Sequence, residues 1–359
     1  MEKVQNFATR KDILLHVSSL REKIRSYKFI HVLINDKFTK STVEFISKHF
    51  TVSEHCFVFI GGASQESFPL PVGDSIFSWP SPYCLAVSDS VSKVIFHGLF
   101  HYGVILYLYE NPEIMKKSYW IPWGGDLYEA EDEPVGNHVR RNFQGYAGNV
   151  YIRKIYEQKF GKSKVVFPFS ISYSSIAYDT IISTPIPQKD YVQIQVNNST
   201  HFSTLEVFDS LKKFKDENIR VVTILSYGKQ QWIDKILACG EKIFGNKFFP
   251  VVRYLPPDAY IKLLARNDVY ILNQGRPQGM TTTFTSMLLG QKVFMRGEIS
   301  EYLFEEGYTI YDTNKLSQLS FEQLLENPSK EKNKILASQR FDENFVRQCW
   351  KNIFEYEPK

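Results

Sequence analysis

Between positions 120 and 128 the chain reads Trp-Ile-Pro-Trp-Gly-Gly-Asp-Leu-Tyr. Two tryptophans, a glycine pair, a carboxylate and a tyrosine so close together could do chemistry on a sugar. Trp and Tyr present flat apolar faces with one polar group each. Ser118–Trp123 predicts a short strand that the glycines end. Asp126 then stands just past the carboxyl end of a strand, where open α/β sheets bind ligands. The alternative is a strand-end turn whose aromatics fill a core, because Trp is usually largely buried. His97 precedes Gly98 at another predicted strand end, and His101 lies one helical turn on. A lone histidine is more often structural. Asp126 is therefore the favoured proton acceptor and His97 the second choice, with Trp123, Gly124, Gly125 and Tyr128 as sugar contacts.

The second constellation is Asn273-Gln-Gly-Arg-Pro-Gln-Gly-Met-Thr-Thr-Thr283. It joins a predicted strand to a predicted helix. Gly275 and Gly279 allow close backbone approach, and Thr281, Thr282 and Thr283 stand where unpaired N–H groups and the helix dipole attract anions. Arg276 adds a permanent charge, and Gln278 shares the loop. Together they suit a diphosphate; the alternative is a surface loop with an ordinary threonine cap. Asn197-Asn-Ser-Thr200 closes another strand. Asn198 and Ser199 there could hold the phosphates or sugar from the opposite side, although such clusters are also common turns. Tyr254 ends a further predicted strand and could stack on a base.

These loops must be positioned by strands that alternate with helices. The predicted strands are Phe29–Ile34, Cys56–Ile60, Val91–Phe96, Ser118–Trp123 and Val165–Phe169, with helices over Ser41–His49, His101–Tyr109 and a long helical pattern over 136–160. Residues 171–190, rich in Ser and Pro, read as a linker. A second alternation follows: strands Tyr191–Val196, Ile219–Leu225, Val251–Tyr254, Asp268–Leu272 and Lys292–Met295, and helices Thr204–Phe214, Gln230–Phe244, Pro257–Ala265 and Thr281–Leu289. Such alternation implies βαβ units and parallel sheets. The expected organisation is α/β: an extension over 1–27, a Rossmann-like domain over 28–170, the linker, a Rossmann-like domain over 191–340, and a closing helix within 341–359, with a cleft between the domains for small ligands.

Composition narrows the function. The 359 residues are 43% hydrophobic and 23% charged, ordinary for a soluble globular protein, with an aromatic excess at 15%. Residues 1–28 hold seven basic side chains (Lys3, Arg10, Lys11, Arg21, Lys23, Arg25, Lys28) against Glu2, Asp12 and Glu22, which accounts for the whole net charge of +4. A folded body without net charge argues against a nucleic-acid partner. Ile13, Leu14, Val17, Leu20 and Ile24 recur at helical spacing among those basic residues. That is either a basic amphipathic helix on an anionic membrane surface or a helix docked on the protein itself. Cys56, Cys84, Cys239 and Cys349 have neither zinc-site nor disulfide spacing. No signal peptide or spanning segment is predicted. No phosphate loop of the G-x-x-x-x-G-K-[ST] type, G-x-G-x-x-G, D-x-D, H-E-x-x-H or Ser/His/Asp pattern occurs, so no metal site and no serine nucleophile is expected.

Phe96-His-Gly98, Trp123-Gly-Gly-Asp-Leu-Tyr128, the Asn-Asn-Ser loop at 197–199, Tyr260-Ile-Lys-Leu-Leu-Ala-Arg-Asn-Asp268 and Arg276-Pro-Gln-Gly279 occur in order and at spacings that resemble the bacterial TDP-N-acetylfucosamine transferases of glycosyltransferase family 56. The resemblance covers about residues 28–355. It implies the GT-B architecture, with the nucleotide sugar on the C-terminal domain and the acceptor on the N-terminal one. It implies no metal and no cofactor, the TDP-sugar being a substrate. It implies transfer of 4-acetamido-4,6-dideoxygalactose to a lipid-linked saccharide on the path to enterobacterial common antigen, by a peripheral protein on the cytoplasmic face of the inner membrane. The chain departs from the family in its three successive threonines and in lacking an acid near Thr200, which leaves a related TDP-linked amino-deoxyhexose as an alternative donor. No Asp or Glu lies between Asp268 and Glu298, so the paired-glutamate loop of many retaining GT-B enzymes is missing and inversion is favoured. The rival readings are a transferase of UDP- or GDP-sugars and a non-catalytic sugar-nucleotide or glycan binder.

Overall fold

The computed structural model describes residues 18–36, 38–62, 68–79, 85, 87–169, 178–275 and 279–358. Two compact units form, one from Met1–Ser175 with Val346–Lys359, the other from Ile176–Phe345. The first is built on seven parallel strands: β1 (Phe29–Asn35), β2 (His55–Gly62), β3 (Ile76–Trp79), β4 (Lys93–His97), β5 (Ser118–Ile121), β6 (Gly145–Gly148) and β7 (Val166–Pro168). Their order is β3-β2-β1-β4-β5-β6-β7. The second holds six parallel strands: β8 (Val192–Val196), β9 (Ile219–Ile224), β10 (Phe248–Val251), β11 (Val269–Leu272), β12 (Lys292–Met295) and β13 (Tyr311–Asp312), in the order β10-β9-β8-β11-β12-β13. In each sheet the order reverses beside its first strand, as in doubly wound dinucleotide-binding folds.

Parallel strands are covered on both faces, so their residues run apolar almost without interruption. In the first sheet, Ile30, Val32, Val94, Phe96 and Trp120 enter one core, while Phe29, Leu33, Ile95 and Tyr119 enter the other. The second core is closed by the helix Glu343–Glu355, whose Trp350 is 1% exposed and whose Ile353 and Phe354 are also buried. The closing helix is therefore part of the first domain.

Several elements differ from, or refine, the sequence reading. The pattern over 136–160 is two helices, Pro134–Asn142 and Val150–Phe160, with β6 between them. Gly145 lies against Val165 and Phe167, and Gly148 against Ile152, where a Cβ would collide. The strand expected over Val251–Tyr254 lies earlier, as β10; its Pro250 is tolerated because β10 is an edge strand. Within the expected linker, Tyr178–Ser183 is helical, and Ile181 is fully buried. Residues 18–24 are helical, and Leu20 and Ile24 lie inside the first core, so this part of the basic helix docks on the protein. The rest of the extension, and the linker residues up to 177, lie outside the described residues. Among the described residues no helix is long and apolar enough to cross a membrane.

Replacing Trp350 with alanine removes the largest side chain that the closing helix contributes to the first domain. We expect a loss of about 3–5 kcal/mol of unfolding free energy, measured by urea denaturation.

Candidate functional site

The strand order reverses between β1 and β4 in the first sheet and between β8 and β11 in the second, the switch points at which such folds bind ligands. In the first domain a small pocket is lined there by Leu33, Ile34, Gly98, Phe100, His101 and Val104. Gly98 (φ 77°) lets the chain turn out of β4, and the Phe100 ring lies where a Cβ on Gly98 would stand. Phe100 is 47% exposed and meets Trp123 edge-on at 6.4 Å. His101 is exposed, and its Nδ1 accepts the Gly103 N–H at 3.1 Å as the N-cap of Tyr102–Glu110. The neutral ring therefore presents Nε2–H. Asp36, just past β1, is the partly exposed carboxylate of this end; its Oδ1 accepts the Phe38 N–H at 2.7 Å.

Asp126 lies deeper. It is 4% exposed, and its Oδ2 accepts the Trp120 indole N–H at 2.8 Å and the Leu99 N–H at 2.9 Å. Its Oδ1 accepts the Trp123 N–H at 2.8 Å. Burial holds the carboxyl above its ordinary range, and these donors pull it back. The side chain is thus a clamp that ties the loop after β4 to the turn after β5. This counts against the expected role as proton acceptor, because the carboxylate is almost wholly buried and each of its oxygens already accepts an N–H. Gly124 (φ 108°) is required by the turn, with Tyr128 packed over it, and Trp123 stands edge-on to Phe38.

His97 is corrected likewise. It is fully buried, and its Nε2 shares a hydrogen bond of 2.9 Å with Nδ1 of His31, whose Nε2 shares one of 3.0 Å with Nδ1 of His55. The three rings run across β4, β1 and β2 on the face that the closing helix covers, with Trp350 5.5 Å from His97 and Phe354 4.7 Å from His55. Burial pushes all three towards the neutral form, His55 down to about 4 and His97 to about 3.

In the second domain the switch point is built from polar side chains. Asn197 holds a left-handed conformation (φ 54°), its Oδ1 accepts the Asn273 N–H at 2.8 Å, and its Nδ2 donates to Thr204 at 2.9 Å. The loops after β8 and β11 are thereby pinned together. The helix Met280–Leu288 starts at Gly279 (φ 78°) with no side-chain cap among the described residues, and the N–H groups of a first helical turn are the kind of donors that bind anions. Asn198 packs against Gly279 so closely that a Cβ there would overlap its amide. Ser199 is buried and accepts from Gln274 at 3.1 Å. Thr282 pairs with the Tyr260 hydroxyl at 3.0 Å, and the Thr283 hydroxyl donates to the Gly279 carbonyl at 3.2 Å. Those two threonines are structural, and Thr281 is the partly exposed one. Tyr254 is half exposed in the loop after β10, two strands from β8. Arg276 and Gln278 lie outside the described residues. The sequence reading missed Arg296 at the end of β12, whose Nη1 donates to Glu206 at 2.9 Å beside the Asn273 amide.

A family model described as 4-alpha-L-fucosyltransferase, glycosyl transferase group 56, matches residues 83–295, a span that contains both the tryptophan turn and the helix start. The chain belongs to that family. It is a glycosyltransferase of hexose type, and its two parallel-sheet domains have the GT-B architecture. Among solved structures, a glycosyltransferase from Rickettsia africae is 10% identical at a TM-score of 0.66, covering 92% of this chain and 98% of that one. HepE from Anabaena, in complex with UDP and glucose, is 11% identical at 0.63, covering 91% and 99%. The UDP-GlcNAc 2-epimerase of Neisseria meningitidis, bound to UDP-GlcNAc, is 13% identical at 0.55, covering 91% and 98%. At such identities these likenesses show the fold alone.

Two outcomes follow from the first-domain geometry of the transferase. Asp126→Asn sets an amide N–H₂ against an N–H donor; we expect at least about 1–3 kcal/mol of lost stability in urea denaturation, falling together with turnover. A free base would lose turnover alone. The histidines act in the acid range. The folded chain keeps His55 and His97 neutral while the unfolded chain protonates them below about 6.5. Stability is therefore lost as pH falls from about 6.5 towards 4 and 3. At pH 5 each contributes about 2 kcal/mol of that loss, and we expect His55→Gln to show a shallower decline between pH 7 and 5.

Proposed function

We propose that this transferase moves a 4-acetamido-4,6-dideoxyhexose from a TDP-sugar to a lipid-linked saccharide in bacterial surface polysaccharide synthesis, as a peripheral protein on the cytoplasmic face of the inner membrane. The observation that carries the donor side is the uncapped helix start at Gly279, opening at the β8–β11 switch point beside Asn198 and Thr281. Aligned N–H groups there, with Arg276 from the same loop, would hold the diphosphate and stabilise the charge that grows on the leaving nucleotide. Preorganised donors of this kind replace a metal ion. Tyr254, half exposed after β10, would stack on the base. On the acceptor side, Phe100 and Trp123 offer ring faces for a sugar. On this reading the partly exposed Asp36 takes the acceptor proton rather than the buried Asp126 or His97, and His101 offers its Nε2–H as a donor to the sugar.

A second reading takes UDP-sugars, and it is favoured by the UDP and UDP-GlcNAc in two structures of the same fold. Calorimetry with TDP, UDP and GDP separates the two: the TDP reading requires TDP to bind most tightly. Transfer of label from the preferred nucleotide sugar, unchanged by a chelator, supports metal-independent catalysis, and binding without transfer or hydrolysis refutes an enzyme. Gly279→Ala introduces a Cβ into the Asn198 amide at a left-handed position. We expect it to weaken nucleoside diphosphate binding by at least about tenfold, a loss of one good charge-assisted hydrogen bond.

A further inference from the structure

The second-domain switch point holds polar oxygens that the fold does not use. Gln274, just past β11, is 1% exposed. Its Nε2 donates to Ser199 Oγ, but its Oε1 has no partner among the described residues. On the facing loop, Oδ1 of Asn198 and Oγ1 of Thr200 are also buried with no partner among the described residues. Their neighbours behave differently. Asn197 and Asn273 commit every side-chain polar atom to the protein, through Thr204, Ser203, Glu206, Thr313 and each other. Folded chains pair nearly all buried polar atoms, and an orphan acceptor is costly to keep.

A diphosphate could take the Thr200 O–H but cannot satisfy the two amide oxygens, because its own oxygens are acceptors too. A carboxamide oxygen needs an O–H or N–H donor. A nucleotide sugar brings such donors on both sides of its phosphates: the hydroxyl and amide groups of the transferred sugar, and the hydroxyl and base N–H of the nucleoside. We infer that Gln274 Oε1 accepts a hydrogen bond from one of these donors, with Ser199 fixing the amide, so that Gln274 is a specificity-determining residue beside the phosphate-binding helix start. The inference rests on the nucleotide-sugar reading above.

The test measures calorimetric affinity for TDP and for TDP-glucose, and the unfolding temperature without ligand, in wild type and Gln274→Met. Methionine keeps the volume and removes the orphan oxygen. The unliganded variant should unfold at or above the wild-type temperature, and binding should weaken by about tenfold. Weakening confined to TDP-glucose assigns the donor to the transferred sugar, and equal weakening for both ligands assigns it to the nucleoside. Unchanged affinity for both overturns the inference. So does a marked fall in unliganded stability, which would make the amide a structural group. If wild type binds neither TDP nor UDP, the nucleotide-sugar reading fails and this inference fails with it.

Discussion

A parallel strand buried on both faces has no place for polar chemistry along its length. Buried polar side chains on the strands, such as His31 and Gln195, are paired within the protein; groups able to meet a ligand gather where the backbone leaves the sheet, and the two loops leaving neighbouring strands diverge where the strand order reverses. Both domains obey this constraint. In the first, the loops after β1 and β4 part around Phe100 and His101. In the second, the loops after β8 and β11 part around Asn198 and Gly279.

The two switch points are held open by different means. The first depends on one buried carboxylate. Asp126 gathers the Leu99 and Trp123 amides and the Trp120 indole, and so fixes two loops with three N–H bonds. The second uses neutral amides, with Asn197 bonding across to Asn273 and Asn273 reaching Glu206 and Thr313. The one carboxylate in that network, Glu206, is also paired with Arg296. Behind the first site, three histidines cross the sheet with no carboxylate partner among the described residues, His55 stacked on Phe29, His31 on Phe57, and His97 tilted against Trp350. They behave as polar core side chains satisfied mainly by one another.

Much of this was legible in the chain. Period and punctuation placed most strands of both sheets, because fully buried strands read as unbroken apolar runs. The helix at Gln230–Phe244 has the bounds its pattern predicts. β6 was not legible: Gly-Tyr-Ala-Gly has little strand propensity of its own, and it is a strand because Tyr146 stacks on Tyr156 at 4.1 Å and its glycines fit under neighbours. β10 was obscured by a proline that only an edge position permits. The three histidines share one face by simple alternation along β1, β2 and β4, yet their contact depends on which strands are neighbours.

By itself the sequence determined the class of the molecule: two α/β halves, a glycine-rich strand-to-helix loop suited to phosphate, and motifs that mark a glycosyltransferase family. These are local properties, carried by periodicity and by residues close together in the chain. Only the tertiary structure decided what the singled-out side chains do. Asp126 and His97 looked like bases because they stand at strand ends, but their solvent access depends on residues distant in sequence, the Leu99 amide above one and Trp350 over the other. Of the three threonines, packing against Tyr260 and the Gly279 carbonyl commits two to the fold and leaves Thr281 at the surface. Burial is a property of the assembled neighbours, and a pattern along the chain does not contain it.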